Sequence, residues 1–201
     1  MDWKKALHKV WFFIWEEDSI WSWIVNVILA FVIIKFLLYP GLGFVLGTPA
    51  PIVAVVSGSM EHQGDFDAWW DEPSCCDELC STKNIQSSYY TDLDLSKSVF
   101  RDFPFVNGFN KGDIMFLVGP DNVEVGDVIV YQVSHRADPI IHRVVSMKDG
   151  AFTTKGDHNC GIASFEQDIP ADKVIGKAFW RLPFLGWVKI IFVDFINLFA
   201  R

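Results

Sequence analysis

The sequence predicts a mainly β domain behind one N-terminal membrane-spanning helix, with an inserted, partly helical segment and an apolar C-terminal helix. Three observations carry that reading. Residues 20–39, IWSWIVNVILAFVIIKFLLY, hold Lys35 as their only charge and reach the ~20 residues that cross a bilayer core. Between residues 112 and 155, β-branched runs alternate with turn residues, as short strands do. Residues 61–110 fit neither pattern: they are acidic and aromatic and hold three of the cysteines. The net charge of -8, with no basic patch in the hydrophilic part, excludes nucleic acid as a partner.

The elements follow in order. Residues 1–19 form a cytoplasmic segment, in which WKKALHKVWFFIW (residues 3–15) suits an interfacial helix. Residues 20–39 form the transmembrane helix, flanked by Trp21, Trp23 and Tyr39 and stopped by Pro40 and Gly41. A cleavable signal peptide fits poorly, because the apolar run is long and no small-residue cleavage site closely follows it. Lys4, Lys5 and Lys9 precede the span, and no Lys or Arg occurs from residue 40 to residue 82. That asymmetry expects a single pass of the cell membrane, with residue 1 cytoplasmic and the domain after the span outside. Residues 40–182 form the β-domain, with 61–110 as its insertion, holding one or two short helices, for example 66–70. Strands are expected at 51–57, 112–118, 126–133, 140–147 and 151–155, with a hairpin at Asp149-Gly150. Residues 183–201 are apolar but interrupted by Lys189 and Asp194. They suit a membrane-associated helix better than a second full span.

Cys75, Cys76, Cys80 and Cys160 lack zinc-finger spacing. A local Cys75–Cys80 disulfide and free buried thiols both remain open. His158 and Cys160, with His135, show no paired ligand spacing, so neither a metal nor any other cofactor is expected.

One constellation holds chemistry. Ser59 follows a strand in Ser57-Gly58-Ser59-Met60, and a serine nucleophile needs a base within hydrogen-bond reach. His142, in PIIHRVV, is the candidate base, and Asp157, in Thr154-Lys155-Gly156-Asp157, the candidate acid to orient it.

Four motifs, in this order behind a membrane span, resemble type I signal peptidases of the archaeal and endoplasmic-reticulum type. They are VVSGSM (residues 55–60), GDVIVY (126–131), IIHRVV (140–145) and TKGDHN (154–159). The resemblance covers roughly residues 20–190 apart from 61–110, and it implies a signal-peptidase-like β-domain. It implies Ser59 as nucleophile and His142 as general base, where bacterial relatives use a lysine; Lys155 is not that lysine. It implies an oxyanion site at Ser57 and Ser59, and it matches Asp157 to the family's Gly-Asp motif. Two positions depart: His62 stands where the family usually has Pro, and Ala163 where a second acid often stands. Glu166 and Asp168 are therefore alternative acids. Val53, Val55, Met60 and Ile141 are expected to line small substrate pockets. The implied function is a membrane-bound serine endopeptidase that cleaves signal peptides with a Ser-His-Asp type site. Its partners would be signal-peptide-bearing preproteins, the lipid bilayer and, as a further candidate, the protein translocase. The runner-up is a non-catalytic, membrane-tethered β-module that binds preproteins or a translocase partner.

Overall fold

A computed structural model describes residues 2–77, 79–134, 136 and 138–199, with side chains to residue 196. The chain divides into two compact units, Met1–Val45 and Leu46–Arg201.

In the first unit, helix α1 (Trp3–Trp15) is followed by α2 (Ile20–Ile33), whose first turn is capped by Ser19 accepting from the Ser22 N–H. Ser22 Oγ donates to the Phe13 carbonyl at 2.6 Å, and Asn26 Nδ2 to the Ile14 carbonyl at 2.9 Å. The polar residues early in the apolar run thus satisfy carbonyls at the end of α1. Pro40 and Gly41 do not stop the helix as expected. A π-turn over Ile34–Leu38 leads into α3 (Tyr39–Leu46), so Ile20–Leu46 is one apolar run of 27 residues. A proline clashes with the carbonyl four residues back. Here the wider turn falls just before Pro40, with the Tyr39 N–H donating to Ile34 five residues back. At 1.5 Å per residue the run is roughly 40 Å long, enough to cross a bilayer core with tilt.

In the second unit, nine strands are described: β1 (Ile52–Ala54), β2 (Ser74–Cys75), β3 (Lys83–Asn84), β4 (Ile114–Val118), β5 (Val128–Tyr131), β6 (Ile140–Lys148), β7 (Ala151–Lys155), β8 (Ile169–Pro170) and β9 (Val174–Leu182). The main sheet is antiparallel, in the order β1-β4-β9-β5-β6-β7-β8; β2 and β3 pair separately. The mainly β class holds, and four of the expected strands lie where the alternation placed them. The expected strand 51–57 shrinks to β1, because the chain turns into the Ser57–Ser59 loop after Val55 exchanges hydrogen bonds with Gly112 and Asp113. Strand β9, central in the sheet, is absent from the sequence reading. Its buried positions are Val174, Gly176 and Ala178, too small to give an apolar alternation. A bulge then leaves Phe179 unpaired between Ala178 and Trp180, so Phe179 and Trp180 are both 51% exposed.

Core side chains collect in two clusters. One holds Val55, Met60, Met115, Leu117 and Val130; the other holds Ile129, Tyr131, Val144 and Phe152. The insertion brings its own core. Helices α4 (Phe66–Asp71), α5 (Gln86–Thr91) and α6 (Lys97–Arg101) pack Phe66, Trp69, Trp70, Tyr90 and Phe100 against Val145 of β6. Helix α7 (Trp187–Phe199) closes the described chain; Ala200 and Arg201, expected in the same helix, lie outside the described residues.

Candidate active site

The loop after β1 is pinned at both ends by core side chains, Val55 and Met60, each 1% exposed. Backbone clamps complete it. The His158 N–H donates to the Ser59 carbonyl at 2.8 Å, and the Phe109 N–H to the Met60 carbonyl at 3.0 Å. Between these anchors the hydroxyls of Ser57 and Ser59 lie 3.1 Å apart at the surface.

Strand alternation on β6 turns His142 to one face and Arg143 to the other. His142 Nε2 lies 2.9 Å from Ser59 Oγ, and its Nδ1 lies 2.5 Å from Glu166 Oε1. Glu166 ends a short 3-10 turn, Ser164–Glu166, and is 1% exposed. Its other oxygen accepts the Ala163 N–H at 2.6 Å. A proton on Nδ1 would fill the second Glu166 oxygen and leave the Nε2 lone pair facing the Ser59 hydroxyl, the tautomer that suits a general base. A hydroxyl, an imidazole and a buried carboxylate in series can move a proton off the serine as it attacks.

Asp157 does not orient His142, whose two ring nitrogens are occupied by Ser59 and Glu166. Its own carboxylate is filled from elsewhere. Oδ1 accepts from the Tyr90 hydroxyl at 2.7 Å and from Arg143 Nε at 3.0 Å. Oδ2 accepts from Arg143 Nη2 at 2.8 Å and from His62 Nε2 at 2.9 Å. The guanidinium spends its remaining N–H groups on the carbonyls of Pro104, Phe105 and Gly126. Burial, the largest single influence, pushes the Asp157 carboxyl up, but the Arg143 charge and the hydrogen bonds from His62 and Arg143 together outweigh it and hold the carboxyl well below the usual range. Burial pushes His62 down, so a neutral imidazole, stacked on Trp69 with ring centroids 3.7 Å apart, donates to Asp157. Asp157 is the centre of a buried ionic cluster. The other alternative acid, Asp168, is exposed on a left-handed turn with φ of 52°.

The serine and histidine open on a cleft of about 500 Å³. Of the expected lining only Ile141 borders it; Val55 and Met60 are core residues and Val53 packs on that core. Alternation along this segment turns the other set outward, so Ala54 and Val56 line the cleft with Ile140 and Phe165. Both cysteine readings are resolved: Cys75 pairs with Cys80 and Cys76 with Cys160. His135 lies outside the described residues. The roles of Arg143, Tyr90 and His62 carried no sequence signal, since each depends on where the insertion packs.

Comparison with known proteins adds kinship. No family model matches the chain. A signal peptidase complex catalytic subunit SEC11 from Colletotrichum graminicola is 27% identical over 172 residues, 80% of this chain and 74% of its own length. A subunit of the same name from Neurospora crassa is 25% identical over 168 residues, 78% of this chain and 72% of its own. The human signal peptidase complex catalytic subunit SEC11C is 35% identical over 99 residues, 43% of this chain and 52% of its own.

Proposed function

Starting from a chain homologous to the catalytic subunits of signal peptidase complexes, we propose a membrane-anchored serine endopeptidase that removes signal peptides from precursor proteins. The single observation that supports the chemistry best is the hydrogen-bonded series Ser59–His142–Glu166, set in a cleft. His142 Nε2 takes the Ser59 proton as Oγ attacks the scissile carbonyl carbon. The Ser57 hydroxyl and the Ser59 backbone N–H donate to the oxyanion. Glu166 stabilises the imidazolium that forms. His142 then gives its proton to the leaving amine, and a water molecule, activated by the same imidazole, hydrolyses the acyl-enzyme.

β1 ends the sheet, and an extended precursor running beside Ala54 and Val56 would meet the nucleophile at the end of that strand. The apolar walls at Ala54, Val56, Ile140 and Ile141 suit small side chains on the acyl side of the cut. Two disulfides suit the oxidising side of a membrane, and the Lys-rich residues before the span suit the opposite side. Helix Ile20–Leu46 anchors enzyme and precursor in one plane. The names of the relatives include a complex, and partner subunits are part of this proposal as well.

The test is cleavage of a signal-peptide-bearing precursor by purified protein in lipid. Ser59→Ala and His142→Ala should each abolish turnover. Near-normal cleavage by either variant overturns the assignment, and an inactive wild type with intact precursor binding favours the tethered binding module.

A further inference from the structure

The loop that delivers Glu166 is held by the insertion, not by the β-domain alone. The loop starts at Gly156 on the nucleophile: its N–H groups at Asp157 and His158 donate to Met60 Sδ and to the Ser59 carbonyl. It ends at the acid, where the Ala163 N–H donates to Glu166. Between these points the anchors come from residues 61–110. Cys160 is bonded to Cys76, the Tyr89 hydroxyl donates to the Cys160 carbonyl, and Gln86 Nε2 donates to the His158 carbonyl at 3.3 Å. Ile162 packs on the aromatic core of the insertion.

We propose that Cys76, Cys160 and Tyr89 are positioning residues for catalysis, with the inserted segment acting as a clamp that sets Glu166 against His142. The physical reason is tolerance. A catalytic contact is productive within about 0.5 Å, whereas a glycine-bearing loop fixed only at its ends wanders further. Gly161 sits inside this stretch with φ of 155°, beyond the reach of most residues, so local backbone preference does not hold the loop. A covalent tie one residue before it does. The Cys75–Cys80 bridge, by contrast, closes a loop inside the insertion and touches neither Glu166 nor His142.

The inference rests on the serine endopeptidase reading, and a double-mutant cycle separates the two. Precursor cleavage in lipid is measured for wild type, Glu166→Gln, the pair Cys76→Ser/Cys160→Ser, and all three changes together. The expected result is a kcat at least tenfold lower for the cysteine pair, with KM within twofold. Adding Glu166→Gln to that pair should then cost far less than it costs the wild type, because the contact is already lost. Cys75→Ser/Cys80→Ser should keep the wild-type kcat. If the cysteine pair fails to give a cooperative melt, Tyr89→Phe takes its place in the cycle, with the same non-additivity expected. A wild-type kcat in the cysteine pair, or losses that simply multiply with Glu166→Gln, overturns the clamp while leaving the enzyme standing. A wild type that cleaves no precursor overturns both.

Discussion

Asp157 and Glu166 are both buried carboxylates, and their donors set them to different tasks. Glu166 faces one imidazole and one backbone N–H; Asp157 faces a guanidinium, a phenol and a neutral histidine. Glu166→Gln should lower kcat about 10²–10⁴-fold in the precursor assay, since the amide can hold the wrong imidazole tautomer. Asp157→Ala should instead lower stability by about 3–5 kcal/mol in denaturant unfolding, because Arg143 is left buried and unpaired. Lys155 gives a pH signature. Its ammonium is buried against Gln86 and the carbonyls of Gly156 and Asp157, and burial pushes it down to about 8 from the ordinary 10.5. Between those values the unfolded chain binds more protons than the folded one, so stability rises with pH. Wild type should gain on Lys155→Met by up to about 3 kcal/mol across that window, read from paired unfolding curves. The meeting of Ser59 and His142 was legible because SGSM and IIHRVV are local strings. The carboxylate beside His142 was not, because it is chosen by where a loop lands, and two of the three candidates lie beyond the Gly-Asp motif.

At the scale of elements, strands with large apolar residues at alternate positions were legible; β9, built inward on Gly176 and Ala178, was not. Three of the four expected pocket residues miss the cleft for a related reason: with period-two alternation, an error of one residue swaps core for cleft, as Val55 and Val56 illustrate. The turn at the end of β7 packs closely against Ser59. A Cβ on Gly156 would lie 2.8 Å from the Ser59 carbonyl oxygen and 2.6 Å from Asn159 Nδ2. Gly156→Ala should therefore displace the nucleophile loop and reduce kcat more than tenfold. Equal kcat in the precursor assay would show that the loop yields freely. The helix Ile20–Leu46 outlasts its expected end because a π-turn accommodates Pro40, a local backbone solution that a rule about proline in α-helices does not anticipate.

For the whole molecule, the insertion is as much a part of the fold as the sheet. It supplies Tyr90 and His62 to Asp157, Gln86 to Lys155, and the aromatic cluster over Val145. Replacing residues 62–107 by a short linker should strip these partners together and yield no cooperatively folded protein by near-UV circular dichroism. A cooperative melt in that variant would make the segment an accessory. Sequence alone marked this stretch as foreign to both periods but not as structural, since its partners are spread over β6, β7 and the loop beyond. The cysteine pattern also bears on biosynthesis. Cys75 and Cys76 are neighbours, Cys80 lies 5 residues from its partner, and Cys160 lies 84 from its own. On a growing chain Cys80 meets two adjacent thiols before Cys160 has been made. A first bond to Cys76 strands Cys75 with the late arrival and must be reshuffled through a mixed disulfide. The yield of active protein should then follow the isomerase capacity of the host, and not merely its supply of oxidant.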